Sequence, residues 1–346
     1  MQPVPEVVVD AWPGLTVGQA PYGTGLINVT LKGQLRGRPV IVQRVHPAFA
    51  PAVHFDIEAI TVHLTRRSLL TPRLIRTKTD ELCAVDGEGR AWRLLSFIDN
   101  SFSHDRFTTT AFTREAGKVV GRHHAALSDL SWSYVHTRPG IHDVGFRMRG
   151  SEAALARHTE HRLLAEVREL RQRLLRLEPL LLPQDVTPAR HAHGDLKASN
   201  ILFDEQGSGL CLVDLDTLAH MAWPFEMGDA IRSWCNPRRE DEPGAGIELD
   251  LYEAALQGYR EGSGPLQLSA TEIELLPRGV LTIAVELALR FLTDALEERY
   301  FSFDPARYAT HGEHNLARAK GQIELALSVE AALAELDRIT KSALVP

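Results

Sequence analysis

His191-Ala-His-Gly-Asp-Leu-Lys-Ala-Ser-Asn200, with Asp214-Leu-Asp216 beginning fourteen residues after Asn200, is the stretch around which this chain is organised. Moving a phosphoryl group to a hydroxyl requires a carboxylate that receives the hydroxyl proton and oxygen ligands that hold Mg²⁺ against the phosphates. Asp195 can be that carboxylate. Asn200 and Asp214 can be the metal ligands, with Asp216 sharing the metal or touching the acceptor.

Asp195 and Asn200 reproduce the Asp-x-x-x-x-Asn spacing of a kinase catalytic loop, and Asp214 opens the second metal-binding element. Ile201-Leu-Phe203 and Cys211-Leu-Val213 are short apolar runs with Asp204-Glu-Gln-Gly-Ser-Gly209 between them. They predict a hairpin that pins Asn200 beside Asp214. Taken singly, His-Gly-Asp is an ordinary turn and Asp-Leu-Asp an ordinary strand end. Their joint order and spacing, with apolar strands between, favour phosphoryl-transfer chemistry.

The chain resembles the aminoglycoside phosphotransferase and choline kinase type of protein-kinase-like fold, and within it the bacterial N-acetylhexosamine 1-kinases. The closer resemblance is carried by Gly23-Thr-Gly-Leu-Ile-Asn28, Val42-Gln-Arg-Val45, Asp214-Leu-Asp-Thr217, Gly228-Asp-Ala-Ile-Arg232, Arg290-Phe-Leu-Thr-Asp294 and Glu313-His-Asn-Leu316. It implies an α+β, bilobal fold with a small antiparallel β-sheet N-lobe and a mainly helical C-lobe. The implied division is 1–98, the nucleotide-binding lobe with a hinge at its end, and 99–346, the lobe carrying the catalytic loop and substrate pocket. The implied activity is ATP- and Mg²⁺-dependent phosphorylation of the anomeric hydroxyl of an N-acetylhexosamine. Aminoglycoside or other small-alcohol phosphorylation is the alternative, and a pseudokinase regulator a third reading.

Composition agrees with a chain of this kind. At 346 residues it exceeds the roughly 250 to 300 residues over which one core keeps growing, so two lobes are expected. With 44% apolar and 24% charged residues and no apolar run near the roughly 18 needed to span a bilayer, no membrane association is expected. Net charge of −7 argues against a nucleic-acid surface and selects no substrate; a small-molecule sugar partner is what the resemblance implies, and the oligomeric state stays open. Met1-Gln-Pro-Val-Pro-Glu6 lacks the pattern of a secretory signal, so a cytoplasmic location is expected. Cys83, Cys211 and Cys235 are odd in number and widely spaced, which suits free thiols in a reducing compartment.

Gly23-Thr24-Gly25 predicts a tight turn between strands, and glycine at 23 and 25 would let backbone amides approach phosphate oxygens. Alone, such a turn is a plain hairpin. Kinases of this type carry a lysine on the next strand, paired with a glutamate on the following helix. That strand has none here, so Arg44 is expected on the phosphates, sharing a face with Val40 and Val42, with Glu58 as its partner; the alternative is two solvated charges. The resemblance places adenine against Ser96 to Ile98, and Arg290 and Tyr300 beside the sugar. Core or surface packing is the other reading of that pair, and Arg290 with Asp294 could be a surface ion pair. His123 and His124 point to different helix faces and are expected to be structural. Asp229 is expected to brace the catalytic loop. Helices are expected over 113–128, 151–177, 249–259, 271–276, 280–300 and 316–339, with another opened by Gly228.

Overall fold

The computed structural model describes residues 4–23, 28–137 and 140–345. The chain divides into two compact units, Met1–Ser101 with Asp129–Thr137, and Phe102–Ser128 with Arg138–Pro346.

The first unit is an antiparallel sheet flanked by two helices. After α1 (Glu6–Ala11) come β1 (Leu15–Pro21), β2 (Val29–Leu35), β3 (Arg38–Arg44), α2 (Val53–Arg66), β4 (Leu74–Ile75), β5 (Ala84–Val85) and β6 (Ala91–Ser96). The strand order is β1-β2-β3-β6-β4, with β5 on β6. Arg36 and Gly37, both at positive φ, make the two-residue turn that sets Leu35 opposite Arg38. Strand alternation then puts Val40 and Val42 on one face with Leu31, Trp92 and Leu94, and Val8 of α1 covers that face together with Trp12, the residue that follows the helix.

A buried carboxylate explains why residues 129–137 belong to this unit. Asp56, 1% exposed on α2, accepts hydrogen bonds from Trp132 Nε1 at 2.9 Å, Val135 N at 2.9 Å and His136 N at 2.8 Å. These three N–H groups satisfy its oxygens and tie residues 132–136 to α2.

The second unit is mainly helical: β7 (Ser101–Phe102), within which the division falls, then α3 (Thr110–Leu127), α4 (Val144–Arg157) and α5 (Leu164–Leu175). β8 (Ala189–Ala192), β9 (Ile201–Asp204), β10 (Gly209–Leu212), β11 (Ala219–Ala222), α6 (Trp223–Trp234), α7 (Leu249–Ser263), α8 (Ala270–Glu297) and α9 (His311–Leu344) complete it. β9 and β10 are the hairpin expected from their apolar runs, with Ile201 opposite Leu212. β8 and β11 form a two-stranded ribbon that brackets the loop carrying Asp195.

Three helix expectations are corrected. The helix expected over 151–177 is two, α4 and α5, because residues 158–162 offer no apolar side chain to bury; α4 starts earlier, where Asp143 accepts from Phe146 N. The segments on either side of Pro277 form one helix, α8, capped by a Ser269/Glu272 capping box and held through the proline by burial of Ile273, Leu276, Pro277 and Val280. Gly228 does not open a helix but lies inside α6, which starts at Trp223-Pro224, where proline's missing N–H costs nothing.

Gly228 instead permits close packing. A Cβ there would meet Gly279 O at 2.8 Å, and one on Gly279 would overlap Pro224 O, so α6 and α8 cross backbone to backbone. Each buried Ile, Leu or Val on α8 contributes about 1.5–3 kcal/mol, which anchors α6 in place. α6 carries the groups that hold the loop between β8 and β9.

Candidate active site

The loop between β8 and β9 is held by α6 almost residue by residue. Both carboxylate oxygens of Glu226 accept backbone amides, His193 N at 2.7 Å and Gly194 N at 3.0 Å. Asp229 accepts Leu196 N at 2.7 Å, Ser233 Oγ accepts Ala198 N at 3.0 Å, and Trp234 Nε1 donates to Leu196 O at 2.7 Å. Arg232 grips the other Asp229 oxygen with two donors, at 3.0 and 2.8 Å. Gly194 has φ of 78°, and a Cβ on it would overlap Thr217 O, so only glycine fits there.

Glu226 is itself supported from below. Trp223 Nε1 donates to Tyr259 Oη at 2.9 Å, Tyr259 Oη lies 3.0 Å from His124 Nδ1, and His124 Nε2 lies 3.5 Å from Glu226 Oε1. Burial alone would raise the Glu226 pKa; His124 and His193 override it and hold the carboxyl below its ordinary range. His123 and His124 are both buried in α3.

Asp195, Asn200 and Asp214 are brought together. Lys197 Nζ stands 2.7 Å from Asp195 Oδ2 and 3.8 Å from Asp214 Oδ2. Asn200 Nδ2 donates to Asp195 O at 2.8 Å and to Asp195 Oδ2 at 3.0 Å. Val213 N donates to Asn200 O at 2.9 Å, the contact by which the hairpin sets Asn200 next to Asp214. Asp214 sits at φ 64°, ψ 60°, a left-handed conformation that costs about 1–3 kcal/mol in a non-glycine residue. Of the two aspartates of Asp214-Leu-Asp216, Asp214 is the open one, with its side chain 35% exposed, whereas Asp216 is 1% exposed.

The local field keeps Asp195 ionised. Burial opposes its charge, but Lys197, then His193 and Arg232, bring its pKa below the ordinary 3.8. Lys197 moves the opposite way: burial disfavours its charge, and Asp195 and Asp214 raise its pKa above 10.5. Lys197 was not singled out from the sequence, although it lies within the decisive stretch.

The donor set fits a hard divalent cation. With both Asn200 N–H donors directed at Asp195, the amide presents its oxygen elsewhere, and Asp214 adds an open carboxylate oxygen.

Farther along the second unit, Arg290 and Tyr300 are also brought together. The Arg290 guanidinium carbon lies 5.9 Å from the Tyr300 ring centroid and 5.4 Å from that of Phe301. Asp294 does not pair with Arg290; it is 3% exposed and accepts Arg299 N, Tyr300 N and Phe301 N at 2.8 to 3.1 Å, plus Asn315 Nδ2 at 2.8 Å. It thereby fixes the turn that presents Tyr300.

In the first unit the expected pair is not formed. Glu58 bonds Arg73 at 3.3 Å and Arg76 at 3.1 Å, and among the described residues Arg44 makes no ion pair. Arg44 does share a face with Val40 and Val42, but its cross-strand neighbour is Trp92, so that face is the one α1 covers. Gln43, on the opposite face, accepts from Arg93 Nε at 2.9 Å, and Arg93 is 1% exposed. Ser96 Oγ accepts Arg73 N at 2.9 Å, and Ile98 O accepts Ser101 Oγ at 2.7 Å. Gly23 has φ of 80°, suited to a turn, while Thr24 and Gly25 lie outside the described residues.

An antiparallel sheet followed by a helical region that carries such a loop is a protein-kinase-like fold. Residues 19–265 match the phosphotransferase enzyme family, and the chain belongs to it. Solved structures similar to it include an aminoglycoside phosphotransferase from Alicyclobacillus acidocaldarius, at 16% identity and TM-score 0.63 over 99% of this chain and 98% of that one. A microcompartment-associated aminopropanol kinase matches at 14% and 0.61, over 93% and 94%. An amicoumacin kinase, in complex with AMP-PNP and Ca²⁺, matches at 12% and 0.59, over 92% and 90%. At these identities the likeness is one of fold. Among the described residues no helix is long and apolar enough to cross a membrane.

Proposed function

We propose that this phosphotransferase is an ATP-dependent sugar kinase that phosphorylates the anomeric hydroxyl of an N-acetylhexosamine. The observation that carries the phosphoryl-transfer half is the cluster in which Lys197 joins Asp195 to Asp214 while Asn200 donates to Asp195.

In this reading the acceptor hydroxyl hydrogen-bonds Asp195 and its oxygen attacks the γ-phosphorus. The new O–P bond forms as the bond to the β-phosphate oxygen breaks, ADP leaves, and the hydroxyl proton passes to Asp195. A carboxylate held below the usual range is a weak base, so Asp195 acts chiefly by orienting the hydroxyl and takes the proton late, when the oxygen has become acidic. Asn200 and Asp214 are the residues that would hold Mg²⁺, with Asp216 behind them; bound there, the ion neutralises and aligns phosphate oxygens. Lys197 gives the transferred group a fixed positive charge between the two aspartates, which the strand lacking a lysine does not supply.

The sugar half rests on Arg290 and Tyr300, a guanidinium beside an aromatic ring, which suits hydroxyl and carbonyl oxygens together with a sugar's apolar face. A second reading, phosphorylation of an amino alcohol or aminoglycoside, draws on the names of the similar structures. ADP release with ATP and Mg²⁺ across N-acetylglucosamine, N-acetylgalactosamine, glucose, galactose, kanamycin and choline separates them. Turnover of an N-acetylhexosamine with loss of the product's reducing end is expected; turnover confined to kanamycin or choline would contradict the sugar assignment, and silence across the panel would point to a pseudokinase.

A further inference from the structure

We infer that Glu115 and Arg122 of α3 are positioning residues for the metal site: they clamp Gly209, the first residue of β10, and so fix the hairpin carrying Asn200 and Asp214 in the frame of the catalytic loop. The inference rests on the reading of Asn200 and Asp214 as metal ligands, and it adds what sets their position.

β10 is the edge strand of its three-stranded sheet, so among the described residues no further strand bonds its outer side. At Gly209 two side chains of α3 take that place. Gly209 N donates to Glu115 Oε2 at 3.2 Å, and Gly209 O accepts from Arg122 Nη2 at 2.8 Å. Lys118 Nζ, 2.6 Å from Glu115 Oε1, steadies the carboxylate that accepts the amide. Glu115, Val119 and Arg122 follow at i, i+4 and i+7, which is one face of the helix. The approach requires glycine, since a Cβ at 209 would meet Val119 Cγ2 at 2.5 Å and Glu115 O at 2.9 Å.

The strand ladder does not fix Gly209 by itself. Leu212 stands opposite Ile201 and Cys211 opposite Leu202, but Gly209 stands opposite Phe203, so Leu210 is an extra residue in β10. That residue is slack in the strand. With Gly209 held from α3 and Val213 N donating to Asn200 O at 2.9 Å, both ends of the stretch are fixed and the slack cannot pass toward Asp214. Asp214 needs such constraint, because its left-handed backbone persists only where the surrounding structure over-determines it. On its other side Thr217 Oγ1 donates to His193 O at 2.8 Å.

α3 is a firm base for the clamp. A Cβ on Gly258 or Gly262 of α7 would overlap Arg114 O or Lys118 O, so α3 and α7 cross backbone to backbone. The same helix carries His124, whose Nε2 lies 3.5 Å from Glu226 Oε1, and Glu226 holds two amides of the loop that bears Asp195. One helix thus bears on both halves of the site, the catalytic loop through His124 and the metal hairpin through Glu115 and Arg122. Loosening the clamp frees the metal ligands while Asp195 stays held from α6.

The test measures Mn²⁺ affinity in the presence of AMP-PNP by water-proton relaxation, beside the Mg²⁺ concentration that gives half-maximal turnover of the best acceptor. The proteins are wild type, Glu115→Ala, Arg122→Ala, Glu115→Gln and Arg122→Lys. Arg122 is exposed, so its alanine variant stays folded. Both alanine variants are expected to bind Mn²⁺ about tenfold more weakly, as when a group behind a metal ligand is removed. They should need correspondingly more Mg²⁺ and recover kcat to within severalfold when Mg²⁺ saturates. Glu115→Gln, whose amide oxygen still accepts Gly209 N, and Arg122→Lys, which still donates to Gly209 O, should stay near wild type. Unchanged Mn²⁺ affinity in both alanine variants, whatever their Tm, would overturn the inference, as would Gln and Lys variants no better than alanine. Asp214→Asn in the same titration separates the two readings. If it weakens Mn²⁺ binding while the clamp variants do not, the clamp alone fails; if it leaves Mn²⁺ binding unchanged, the metal-ligand reading fails and the clamp with it.

Discussion

Lys197 stands between the two aspartates of the candidate site, 2.7 Å from Asp195 and 3.8 Å from Asp214, and is the only basic side chain within ion-pair distance of both among the described residues. Removing it should take away the one positive charge that the two carboxylates share within ion-pair distance. Lys197→Met is expected to lower kcat by about 10²-fold, the scale of losing one charged group that stabilises a transition state. Lys197→Arg should retain more of the activity. Steady-state kinetics with ATP varied at saturating acceptor checks this, and unchanged turnover in Lys197→Met would remove Lys197 from the site.

Glu226 holds two consecutive amides of the catalytic loop, so its effect on catalysis passes through Asp195. In Glu226→Gln the side-chain NH₂ cannot accept, which leaves one of those amides unpaired and costs about 1–3 kcal/mol of stability. A fall in kcat of about tenfold or more, with KM for ATP little changed, is the expected kinetic result. Thermal unfolding and kinetics measured on one preparation separate loop geometry from loss of folded protein.

The crossing of α6 and α8 depends on two glycines. Gly279→Ala would push a methyl group into Pro224 O and force the helices apart. A loss of about 1–3 kcal/mol or more in urea unfolding is expected, the range for overpacking a close contact. Ala at Gly150, where nothing lies within 4 Å of the added Cβ, serves as the control.

The His142–Glu286 pair should give stability a pH dependence. Burial opposes charge on His142, but Glu286 raises its pKa above 6.5, so its contribution is full below the unfolded value and is lost as pH rises through the folded one. Burial likewise opposes charge on Glu286, but His142, Arg290 and Arg147 lower its pKa to about 2, so its contribution is present above 4.5 and is lost as pH falls through about 2. His142→Asn should therefore lower Tm most near about pH 6 and less near about pH 9. A Tm difference that does not change with pH would mean that folding leaves the His142 pKa unshifted, and one that grows as pH rises would mean that the shift is downward.

The loop and hairpin were legible because residue type and spacing there carry the chemistry: Asp195 and Asn200 match a known loop spacing, and a hairpin of the two apolar runs between Asn200 and Asp214 brings those two together. Arg44 shows where such reading stops. Alternation correctly groups it with Val40 and Val42, but no pattern within a strand tells which face a distant helix covers, and α1 covers that one. Lys197 carried a signal, lying in the decisive stretch, and Glu226 a weaker one, an acid inside the apolar run Trp223-Pro-Phe-Glu-Met227. Asp56 carried none, because its partners are seventy-six to eighty residues away. Helix ends failed where tertiary packing outweighed local signals, as at Pro277, which burial holds within α8.

The most direct test of the central claim is the turnover of Asp195→Asn with its best acceptor, ATP and Mg²⁺. Asn keeps the side-chain volume and an oxygen acceptor but removes the charge that orients the hydroxyl and takes its proton. The account expects kcat to fall by about 10²- to 10⁴-fold while the protein stays folded. Turnover near the wild-type rate would contradict it.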